Sequence, residues 1–105
     1  MSDESAGRRE IVYRPGDPQS SELWMRVGDE VAVTLHGSSA YGWTPIEVIA
    51  GPLTVIDTET TEATVRTAAR ATASGEAELR STSSFRGDRF GPQTRLWRLL
   101  VHVTE

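Results

Sequence analysis

His36 and His102 are the only ring bases in the 105 residues, and the strand pattern described below puts them on separate elements. Ser38 and Ser39 stand next to His36, which is the beginning of a nucleophile and base pair. No Gly-x-Ser-x-Gly elbow surrounds them, however, and no third residue is placed to orient the ring. Zinc needs three or four ligands, and two His without a clustered carboxylate pattern fall short of that. The chain has no Cys, so it has no thiolate nucleophile, no disulfide and no Cys-held metal. All 11 basic side chains are Arg. Without Lys there can be neither a Schiff base nor a Lys clamp on phosphate, and no Gly-rich loop precedes a helix. This inventory points away from an enzyme and implies no catalytic residue, no metal and no cofactor.

Binding is what remains, and the aromatics carry that reading. Tyr41 and Trp43 flank Gly42 directly after the small residues Gly37, Ser38, Ser39 and Ala40, while Phe85 and Phe90 sit in a loop much later in the chain. Large rings beside small residues at strand ends make a recognition edge, with stiff apolar anchors on an adaptable backbone. Trp97, in the middle of an apolar strand, reads as core instead. The stretch 80–98 holds Arg80, Arg86, Arg89, Arg95 and Arg98 against the single acid Asp88. It is either a site for an acidic partner or a solvated face balanced by the acids of 57–62.

The elements that must position these residues are strands. In 29–36, Val31, Val33 and Leu35 alternate with Glu30, Ala32 and Thr34, the period of a half-buried antiparallel strand. Leu23, Met25 and Val27 alternate in the same way before the Gly28-Asp29 turn. Further strands are expected at 10–14, 41–49, 53–57, 59–73, 76–82 and 96–104, the last with Trp97, Leu99, Val101 and Val103 on one face and Arg98 and His102 on the other. Pro15-Gly16-Asp17-Pro18 is a turn, Gly51-Pro52 stops a strand, and 83–94 is a long loop. Short strands at intervals of roughly 8–12 residues, with no crossover helix, predict an all-β fold: an immunoglobulin-like antiparallel β-sandwich of about seven strands.

The formal charge of −4, with 15 acidic residues, opposes a dedicated nucleic-acid binder, whose affinity rests on neutralising phosphates. No run approaches the roughly 18 apolar residues of a membrane span. The first residues lack the apolar region of a secretory signal, so the chain as written is expected to be cytoplasmic, or secreted or periplasmic if a leader has been removed. Residues 1–21 read as a flexible N-terminal segment and 22–105 as the sandwich domain, expected to be a monomer.

The run His36-Gly37-Ser38-Ser39-Ala40-Tyr41-Gly42-Trp43 resembles the Asn-Pro-Thr-Thr-Gly-aromatic-small-Trp loop of the chagasin-like inhibitors of papain-type cysteine peptidases. A Val-Gly-Asp turn and a Val-x-Val-x-Leu strand precede that loop in the family, as Val27 to Leu35 do here. An aromatic-bearing loop and a strong terminal strand follow, matched by Phe85 and by 96–103. The resemblance implies an immunoglobulin-like sandwich that offers three loops at one end to the peptidase cleft. It further implies that Gly37, Ser38, Ser39, Ala40, Tyr41, Gly42 and Trp43 meet the partner together with Phe85 and Arg86. Ser38 and Ser39 would stand for the paired threonines, and Tyr41 and Trp43 for the aromatics that brace the loop. His36-Gly37 replaces Asn-Pro, Ala40 replaces the loop Gly, Ser83-Ser84-Phe85 replaces Arg-Pro-Trp, and the acidic 57–62 stands where a Gly-rich loop would be. The implied partner is a papain-type cysteine peptidase. The other reading is a non-inhibitory interaction module of the same fold that binds an acidic or other protein.

Overall fold

Alternation of apolar and polar residues becomes nine strands in the computed structural model, which describes residues 7–14, 16–37, 41–61, 63–85 and 95–105, with the backbone alone for Tyr41, Ser84 and Phe85. The strands are β1 (Arg8–Tyr13), β2 (Ser20–Arg26), β3 (Glu30–His36), β4 (Tyr41–Trp43), β5 (Glu47–Ala50), β6 (Leu53–Thr60), β7 (Thr64–Ala71), β8 (Gly75–Phe85) and β9 (Arg95–Thr104). One sheet has the order β1-β3-β7-β6; the other has β2-β9-β8-β4, with β5 also paired to β8. The architecture is the expected all-β, immunoglobulin-like sandwich.

Among the described residues nine strands stand where about seven were expected, β8 runs to Phe85 through the start of the expected 83–94 loop, and three further details depart from expectation. Both sheets are mixed, because β1 pairs in parallel with β3 and β2 in parallel with β9. Residues 8–21, expected ahead of the domain, supply β1 and the first two residues of β2, so the expected boundary at residue 22 falls inside a strand. The single strand expected over 41–49 is two. Pro45 has no N–H to give to the ladder, and residues 44–46 are not strand. Thr44 holds the gap: its N–H donates to Thr82 O at 2.8 Å, and its Oγ1 accepts the Thr82 N–H at 3.1 Å.

The core is what period two places inside. Val31, Val33, Leu35, Val65, Ala69 and Ala71 come from the first sheet; Met25, Ala77, Leu79, Trp97, Leu99, Val101 and Val103 come from the second. Leu99 is fully buried. Removing such a side chain from water is worth roughly 1.5–3 kcal/mol, and truncating it to Ala costs roughly 2–5 kcal/mol. Two of the buried hydroxyls are paired as well. Thr67 Oγ1 lies 3.1 Å from Thr58 Oγ1, and Ser81 Oγ donates to Thr44 O at 2.7 Å. Among the described residues no helix is long and apolar enough to cross a membrane.

Candidate functional site

Strand direction decides which connections share an end. β3 finishes at His36 beside Thr64, where β7 begins. The Gly37 N–H donates to Ala63 O at 2.6 Å, which ties the exit of β3 to the β6–β7 turn. That turn is closed by Thr61, whose N–H donates to Thr64 O at 2.8 Å and whose Oγ1 accepts the Thr64 N–H at 3.1 Å. On the other sheet, Tyr41 pairs with Phe85, Gly42 with Ser84 and Trp43 with Ser83, while Ser83 also pairs with Arg95. The connections 37–40, 61–63 and 86–94 therefore leave the sandwich at the same end.

Trp43 braces that end. It is half-buried and packs against the core. Its Nε1–H donates to the His36 carbonyl at 3.2 Å. Its ring meets Tyr13 edge-on, with centroids 5.4 Å apart and planes at 87°. Edge-to-face geometry suits the quadrupoles of both rings. One side chain from β4 thus fixes the last residue of β3, which belongs to the other sheet.

Of the residues expected to meet a partner, Gly37, Gly42 and Trp43 are in place at this end, and Tyr41 and Phe85 are cross-strand partners by backbone. Ser38, Ser39, Ala40 and Arg86 lie outside the described residues, as do Arg89 and Phe90. Arg80 and Arg98 are not balanced by the acids of 57–62. Both reach Glu78 on the same face of the second sheet, Arg80 through a short Nε contact and Arg98 at 3.8 Å. Two residues apart on one strand, Glu78 and Arg80 project from the same face, and that spacing was readable from sequence.

The two His residues are far apart in role. His36 gives its carbonyl to Trp43, whereas His102 stacks on the exposed Trp24 at 4.7 Å, with Glu22 and Glu76 carboxylates 3.4 and 3.3 Å from its ring nitrogens. Among the described residues no group of three His, Asp or Glu could hold a metal ion. The described part of the Trp43 end has tied strand ends and a braced indole.

Compared by sequence, the chain matches no family model and no curated protein. Compared by structure, it is similar to the cysteine protease inhibitor EhICP2 from Entamoeba histolytica, with a TM-score of 0.70 at 10% identity, over 96% of this chain and 99% of that one. The two chains share their fold over nearly their whole length. This chain is also similar to the inclusion body protein PixA from Burkholderia cenocepacia J2315, with a TM-score of 0.51 at 11% identity, over 99% of this chain and 98% of that one. A further match is PbICP-C, whose structure is in complex with falcipain-2, with a TM-score of 0.45 at 12% identity, over 97% of this chain and 92% of that one.

Proposed function

We propose that this protein is a reversible inhibitor of papain-type cysteine peptidases, occluding the cleft with the loops at the Trp43 end of the sandwich. The observation that carries this reading is the convergence of three connections: Tyr41 is paired with Phe85, and Gly37 is bonded to Ala63. The likeness in fold to EhICP2 supports it. Gly37, Ser38, Ser39, Ala40, Tyr41 and Gly42 approach the catalytic Cys of the peptidase, Trp43 braces them from below, and Phe85 and Arg86 contact the cleft from the β8–β9 side. The inhibitor acts as a monomer, one copy per peptidase. A loop already fixed at both ends loses little conformational entropy on docking, which is how a small interface becomes tight.

The test is an active-site titration of papain and several related peptidases with the purified protein. Dose-dependent, reversible inhibition below micromolar concentration is expected. Absence of inhibition at micromolar concentration against all of them overturns the reading and leaves a non-inhibitory interaction module of the same fold.

A further inference from the structure

The β1–β2 connection is a fourth element at the same end of the sandwich. β1 runs parallel to β3 with Tyr13 beside Leu35, so it climbs toward the end where His36 meets Thr64. β2 then begins beside Arg98, in parallel with β9, which itself enters from that end beside Ser83. The Arg98 N–H donates to Gln19 O at 2.8 Å and fixes the exit of the connection.

This turn is built before any partner arrives. The Asp17 N–H donates to Arg14 O at 3.0 Å, and the Arg14 N–H donates to Asp17 Oδ2 at 2.9 Å. Gly16 takes φ +100, a conformation that favours glycine. A Cβ placed there would have no atom within 4 Å, so the crest of the turn is open to solvent. Arg14, Gly16, Asp17 and Pro18 are all exposed. The turn is also coupled to the first loop, because Tyr13, buried just before it, packs on Trp43.

Resting on the inhibitor reading above, we propose that Arg14, Gly16, Asp17 and Pro18 form a fourth contact with the peptidase, beside its cleft, in which the Arg14 guanidinium meets a carboxylate-bearing surface. Size favours it. A standard protein interface takes roughly 20–30 residues from each side, more than the connections 37–40, 61–63 and 86–94 supply. Chemistry favours it too. Asp17 turns its carboxylate onto the backbone of the turn, so the guanidinium is the group with reach, and Arg is enriched where protein surfaces meet. A turn locked by its own hydrogen bonds costs little to immobilise.

The experiment measures association and dissociation with papain, at low and physiological salt, for the wild type, Arg14→Ala, Arg14→Glu and Arg70→Ala. Arg70 lies at the other end of β3, paired to Glu30 at 2.7 Å, and controls for loss of one positive charge. Melting curves accompany each variant to establish that it is folded. The expected result is a roughly 5- to 10-fold loss of affinity for Arg14→Ala and a larger one for Arg14→Glu, reduced at high salt, with Arg70→Ala unchanged. Inhibition by the wild type together with unaltered Arg14 variants, or with equal losses for Arg14→Ala and Arg70→Ala, overturns the fourth contact and leaves the proposed function standing. Failure of the wild type itself to inhibit papain or the related peptidases overturns both.

Discussion

The indole Nε1–H of Trp43 donates to the carbonyl of His36 at 3.2 Å, bridging the two ends of the loop between β3 and β4. These residues belong to different sheets, so the bond is also a fastening between the layers. Tyr13, from a third strand, meets the same ring edge-on. The relative placement of the end of β3 and of β4 therefore depends on one side chain that is half-buried against the core.

Trp43→Phe separates these functions. It keeps an aromatic ring for Tyr13 and removes the donor, leaving the His36 carbonyl without it. A loss of about 1 kcal/mol in stability is expected, the usual net worth of a hydrogen bond. A greater proportional loss is expected in inhibition, because the loop is no longer held at its base. Chemical denaturation and a peptidase titration on the same preparation check both. Equal stability together with equal inhibition would mean that the bond contributes to neither.

Tyr41 and Phe85 are cross-strand partners at the point where two of the three loops leave the sandwich. Replacing either by Ala keeps the backbone pairing and removes the ring. Each of Tyr41→Ala and Phe85→Ala is expected to weaken binding to the partner by about 1–3 kcal/mol while the protein stays folded, as truncated aromatic anchors do. Circular dichroism and isothermal titration separate the outcomes. Unfolding in place of weakened binding would assign these rings to the core.

Period-two alternation was enough to read the inward faces of β3, β8 and β9, since Val31, Leu79 and Leu99 fall where the pleat must bury them. The parallel partners of β1 and β2 were not legible. Alternation specifies a face but not a neighbour, and strands joined through distant pairings leave no local signal. The break between β4 and β5 was visible as Pro45, which removes a donor from any ladder, yet the apolar run around it suggested one continuous strand. The small, aromatic run 37–43 was expected to be a loop beside anchors; 41–43 is strand β4, and 38–40 lie outside the described residues. The carbonyl that Trp43 would seek was not legible, because a backbone acceptor carries no residue identity. The turn after Arg14 was legible from its Pro, Gly and Asp residues, but its place at that end follows only from the direction of β1.

Gly51 marks a position with no room for a side chain. It takes φ +101, and a Cβ there would lie 2.3 Å from both Ala77 Cα and Glu76 O. Backbone on both counts cannot give way cheaply. Gly51→Ala is expected to cost more than about 2 kcal/mol, from the strained φ and the forced separation of the β5–β6 turn from β8. Urea denaturation measures it, and Gly16→Ala, at φ +100 but with open space around it, supplies the conformational cost alone. Similar losses for the two variants would show that the close approach to β8 is relieved by small movements.

At the opposite end from Trp43, Asp29 joins the first strands to the core. Its Oδ1 accepts the Gly7 N–H at 2.8 Å and its Oδ2 accepts the Arg26 N–H at 3.0 Å, with Arg9 4.0 Å away. The bond from Arg26 does most to hold its pKa below the ordinary 3.8, against the opposing effect of burial, with help from Gly7 and from the positive charges of Arg9 and Arg26. A carboxyl whose pKa is lower in the folded state stabilises the fold above its unfolded pKa, and that stabilisation is lost as the pH falls through the folded value. The stability of the wild type should therefore drop between about pH 4 and the more acidic folded pKa. Asp29→Asn, which keeps one acceptor and loses the charge, should be less stable at neutral pH and should lose less on acidification. Denaturation curves for both proteins between pH 7 and pH 2.5 check this, and parallel losses on acidification would remove Asp29 as a source of the acid sensitivity.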